Sequence, residues 1–86
     1  MENKYYITDY FEKNNLFDSN DSKGLIIKND SKTIQIIGSS RDLIELADHL
    51  VNVAISKNKN KHIHIDDLTL INKESDYKEI IIEKDN

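Results

Sequence analysis

One stretch in the middle of this chain, Arg41 to about Ser56, leaves little choice of conformation. At roughly 100° per residue, Leu43, Leu46, Ala47, Leu50, Val53 and Ala54 fall on one apolar stripe. Ile44, Val51 and Ile55 widen it on one flank, while Asp42, Glu45, Asp48, His49, Asn52 and Ser56 take the opposite side. This is the periodicity of an amphipathic helix. Gly38 precedes it, and Ser39 or Ser40 supplies an oxygen for a free backbone N–H at its start. Lys57, Lys59 and Lys61 follow and suit the negative end of its dipole. The apolar arc is wider than one sheet needs to cover. A second layer is therefore expected on the Ile44/Val51/Ile55 flank, from the N-terminal segment or from a second subunit.

Around the helix lie short β-branched runs. Leu25 to Lys28 and Lys32 to Ile37 flank Asn29-Asp30-Ser31, a hairpin signal. Ile34 and Ile36 share one face of the second run, and Thr33, Gln35 and Ile37 the other. His62-Ile63-His64-Ile65-Asp66 alternates strictly, with Ile63 and Ile65 inward. Lys78 to Glu83 places Ile80 and Ile82 inward and Glu79, Ile81 and Glu83 outward. Residues 1–22 hold most of the aromatic side chains, among them Tyr5, Tyr6, Tyr10, Phe11 and Phe17. Lys4 to Phe11 reads as an N-terminal strand or covering segment. The expected fold is α+β, an antiparallel sheet of four to five strands with one helix packed on one face, in the order (β)ββαββ. The core is expected over residues 24–84 of a single domain.

A chain of 86 residues has room for one core. It has no cysteine, which excludes a disulfide scaffold, a thiolate nucleophile and cysteine-bound zinc. Sixteen acidic residues against 12 basic ones leave a net charge of −4, a poor match to nucleic acid or an anionic membrane. Met1-Glu2-Asn3-Lys4 is unlike a signal-peptide start, and no apolar run approaches membrane-spanning length. A cytoplasmic location and no cofactor are expected.

His62, His64 and Asp66 project from one strand face, and Glu79 and Glu83 join them if the last strand pairs alongside. His62, His64, Glu79 and Glu83 carry donors suited to a divalent ion; a solvated face of cross-strand pairs is the simpler account. His49 stands near Glu45, but no serine elbow or glycine-rich phosphate loop accompanies it, since Gly24 and Gly38 stand alone. No enzyme is expected. The acidic helix face suggests instead a surface that steers a basic partner. Ile26, Ile37 and Ile81, pointing away from the helix, suggest a covered face, a dimer contact or a partner site. The connection before the last strand, Asp67 to Tyr77, is long for a hairpin, as functional loops often are.

Gly38-Ser39-Ser40-Arg41-Asp42-Leu43-Ile44-Glu45-Leu46-Ala47-Asp48-His49-Leu50, then His62-Ile63-His64-Ile65-Asp66, then Glu79-Ile80-Ile81-Ile82-Glu83-Lys84, together resemble the immunity protein 32 family of bacterial polymorphic toxin systems. The similarity runs from about Leu25 to Lys84. It departs at Asn72-Lys73-Glu74-Ser75-Asp76-Tyr77, where the family has a short Gly-Ser turn. The resemblance implies a cytoplasmic immunity protein, monomer or homodimer, that neutralises a cognate toxin domain by occlusion. The contacts expected for a basic toxin surface are Asp42, Glu45, Asp48, His49, Asn52, Asp66, Asp67 and Tyr77. The alternative is a small metal-binding or homo-oligomeric module using the His62/His64 face.

Overall fold

The computed structural model describes residues 23–86 together with Tyr10, Lys13 and Asn14. In chain order the described elements are β1 (Ile26–Asp30), β2 (Thr33–Ile37), α1 (Ser40–Ala54), β3 (His62–Asp66) and β4 (Glu79–Glu83). The N-terminal strand expected over Lys4–Phe11 falls outside the described residues except at Tyr10, where the backbone is helical. The architecture is α+β, but the strands do not join into the single sheet expected. Among the described residues β1 pairs only with β2, and β3 only with β4, in two antiparallel ladders.

The reason lies in Asp67 to Tyr77, which is structural chain rather than a free loop. The Asp66 carbonyl accepts the N–H groups of Thr69, Leu70 and Ile71, turning the chain back sharply after β3. Leu70 and Ile71 are then buried, and Ile71 forms a parallel bridge with Leu25. The Leu25 N–H donates to the Leu70 carbonyl at 2.7 Å, and the Asn72 N–H donates to the Leu25 carbonyl at 2.8 Å. Further along, the Asp76 N–H reaches the Ile27 carbonyl at 2.7 Å. Ser75 Oγ accepts from the Ile27 N–H and donates to the Leu25 carbonyl. Asp76 Oδ2 takes the Asn29 N–H at 2.6 Å. The outer edge of β1 is thus filled by an irregular segment that a strand of the other hairpin would otherwise occupy.

Leu25, Ile27, Ile65, Leu70 and Ile71 form the core, with Leu46, Ile63, Ile80 and Ile82 packed against it. It is wholly aliphatic, and it holds the two hairpins together where their ladders do not. The first hairpin turns at Ser31-Lys32 rather than Asn29-Asp30-Ser31, because Asn29 pairs with Ile34 and Asp30 with Thr33. Two-residue turns need left-handed backbone to match the strand twist, and Ser31 supplies it at φ 55°. Asparagine tolerates that region better than serine. Ser31→Asn should therefore raise the melting temperature by about 2–4 °C, the equivalent of about 0.5 kcal/mol in a domain this size, read by differential scanning calorimetry.

α1 packs against β3 and β4, as expected, but with a different face. Asp42, Val53 and Ser56 are buried, while Leu43 and Leu50 remain 43% and 47% exposed. With Leu46 in the core contact, the inward stripe of α1 reads Asp42, Leu46, Val53, and Ser56 continues it just past the helix end. It is rotated from the apolar centre of the helix because its two ends carry polar duties. Ser39 caps the N-terminus, its Oγ accepting from the Asp42 N–H at 3.2 Å. At the other end Lys84 Nζ, from beyond β4, donates to the Ser56 carbonyl at 2.8 Å. It places a cation just past the helix end, where the sequence pointed to Lys57, Lys59 and Lys61; Lys57 and Lys59 are exposed.

Candidate interaction surface

The strand ladders decide which side chains meet. β3 and β4 pair His62 with Glu83, His64 with Ile81 and Asp66 with Glu79, so these six share one face, as the alternation requires. His64 Nδ1 lies 3.1 Å from Glu79 Oε2, with both side chains about half exposed. The His62 and His64 rings meet edge to face at 5.4 Å. Among the described residues, however, no three His, Asp or Glu side chains converge on a point where they could hold a metal ion. A sheet face spreads its donors along neighbouring pairs, whereas tetrahedral coordination needs them closing on one point.

The residues expected to contact a partner separate into several places. Asp42 is fully buried. Its Oδ2 accepts from Ser39 Oγ at 2.9 Å and from the Lys23 and Gly24 N–H groups at 3.1 Å each, so it ties the start of β1 to α1 and faces no partner. That corrects the sequence expectation, and the cause is the helix rotation already described. Glu45 is paired with Arg41 at 3.0 Å. Asp48 accepts from Asn52 Nδ2 at 3.5 Å. These residues and His49 lie along α1, half-buried. Asp66 holds the turn after β3, its Oδ1 accepting from the Leu68 N–H at 3.0 Å. Asp67 is exposed beside a polar cleft of about 310 Å³ that Lys23, Asn72 and Lys73 also line.

Tyr77 is different. It lines an apolar cleft of about 430 Å³ between the hairpins, with Ile27, Ile34, Ile36 and Ile80, and Glu79 at its edge. Pairing puts Ile36 opposite Ile27 and Ile34 opposite Asn29, so both isoleucines share a face with the core residue Ile27. Among the described residues, the distal half of the hairpin overhangs the core cluster. Ile34 is 64% exposed and Ile36 43%. The alternation puts these two on one face, as the ladder shows, but among the described residues the core does not extend beneath them. Ile37 and Ile81, expected on one open face with Ile26, are exposed but stand on separate hairpins. Sequence reasoning missed this cleft because no local pattern reports where a second layer ends.

Among the described residues no helix is long and apolar enough to cross a membrane. Compared with family models, curated proteins and solved structures, the chain matches none.

Proposed function

We propose that this protein acts by docking onto another protein, a toxin domain that it neutralises by occlusion in the cytoplasm. The observation that carries the docking is the cleft at Tyr77, where an aromatic ring and two exposed isoleucines line concave apolar surface. Aromatic side chains bordering such pockets are the usual anchors of protein interfaces, and apolar surface left open in a small domain marks contact sites. Glu45 and Asp48 on α1, with Asp66 at the end of β3 and Asp67 just after it, supply acidic character that steers a basic partner, and His49 and Asn52 beside them on α1 add polar contacts. The choice of a toxin rests on the resemblance carried by the helix and the two strands after it.

The test is whether the neighbouring upstream gene encodes a large toxin whose C-terminal domain co-purifies with this chain and loses activity on mixing. Tyr77→Ala should then weaken binding at least tenfold, about 1.4 kcal/mol, by isothermal titration calorimetry. Reversing charge at Glu45 and Asp48 should mainly slow association and flatten its salt dependence. Full toxin activity under saturating protein would overturn the reading.

A further inference from the structure

The two edges of the first hairpin are treated differently. Leu25, just before β1, and the odd-numbered β1 residues Ile27 and Asn29 turn their backbone groups outward to the Leu70–Asp76 segment. The even-numbered ones therefore bond β2, which makes Lys28–Gln35 and its neighbours two residues away the hydrogen-bonded pairs of the ladder. It follows that the N–H and C=O groups of Ile34 and Ile36 point away from β1. Among the described residues nothing pairs with that side of β2, and all five of its residues are exposed.

Open edges in monomeric proteins are guarded by charge, proline or a bulge. β2, Thr-Ile-Gln-Ile-Ile, has none of these. We infer that this edge pairs with the same edge of a second copy, antiparallel about a two-fold axis through Gln35. In that register Ile34 lies opposite the partner's Ile36 and Ile36 opposite the partner's Ile34. Both are hydrogen-bonded pairs, so all four outward groups on each strand are used. A shift of two residues either way leaves one of the two isoleucines unpaired. The register is self-complementary in charge as well, since no charged residue meets its own kind. The edge of β4 fails that condition, because two-fold pairing about Ile81 would set Glu79 against the partner's Glu83. The same contact would turn a two-stranded hairpin, marginal alone, into a four-stranded sheet with a continuous row of isoleucines.

The dimer is an isologous one, small and rapidly exchanging, with a Kd of roughly 10–100 μM for so limited an interface. It is measured on this chain alone and is independent of the toxin reading. Sedimentation equilibrium up to about 1 mM should show the wild-type chain passing from monomer to dimer. Gln35→Lys and Gln35→Glu, each on an exposed side chain, should separately weaken association at least tenfold, because like charges then face each other across the axis. An equimolar mixture of the two variants should recover it as a heterodimer. A wild-type chain that stays monomeric throughout overturns the inference. So does a dimer indifferent to both substitutions, or a mixture associating no better than its components.

Discussion

Asp42→Ala should remove about 3 kcal/mol of stability and lower the melting temperature by roughly 12–24 °C. The carboxylate is fully buried and accepts from Ser39 Oγ and from the Lys23 and Gly24 N–H groups. Alanine fills less space and accepts nothing, so two backbone donors and a hydroxyl lose their common acceptor. Hydrogen bonds to a charged group contribute about 1.5–3 kcal/mol, and stranding buried donors adds a desolvation penalty. Asp42→Asn keeps the shape and one acceptor oxygen, and should lose roughly 1 kcal/mol. Urea unfolding followed by circular dichroism measures both. Equal losses in the two variants would mean that side-chain volume, not the oxygen, holds this corner together.

Gly24→Ala should be comparably severe, about 2–5 kcal/mol. Gly24 has φ 87°, backbone that costs an L-residue about 1–2 kcal/mol. A Cβ there would also sit 3.0 Å from the Asn72 nitrogen and 3.1 Å from the Leu70 carbonyl oxygen. Both groups are main chain and both are bonded to Leu25, so neither can yield without opening the parallel bridge. Overpacking of that kind adds about 1–3 kcal/mol. The contrast is Gly38, where the nearest atom to an added Cβ is the Leu25 Cδ2 side-chain carbon at 2.6 Å. Gly24→Ala should shift the urea midpoint to lower concentration, with early loss of amide protection at Leu25 and Asn72 in hydrogen exchange. Retained protection there would show that the crossing is not held by the glycine.

These two positions meet at one corner. Lys23 and Gly24 are gripped by Asp42 from the helix, and Gly24 admits the Leu70–Asn72 segment beside β1. The corner thus joins α1, the first hairpin and the segment leading to β4. Neither Asp42 nor Gly24 belongs to an apolar pattern, so a reading built on hydrophobic period places one on a solvent face and leaves the other without a role. Burial of Asp42 follows from its polar partners, Ser39 three residues before it and the Lys23 and Gly24 N–H groups 19 and 18 residues upstream.

What the amino-acid order determined alone were the features set by neighbours: the α1 helix with its serine cap, four of the strands, and the alternation that puts His62, His64 and Asp66 on one face and Ile63 and Ile65 on the other. Backbone geometry of period 3.6 or 2 settles these within a few residues. Tertiary structure alone decided which helix face turned inward, the separation of the strands into two hairpins, and the burial of Leu70 and Ile71. It also decided that Ile34 and Ile36 would overhang the core beside Tyr77. Each of these depends on contacts between residues far apart in the chain, where a polar side chain meeting its partner can outweigh the centre of an apolar stripe.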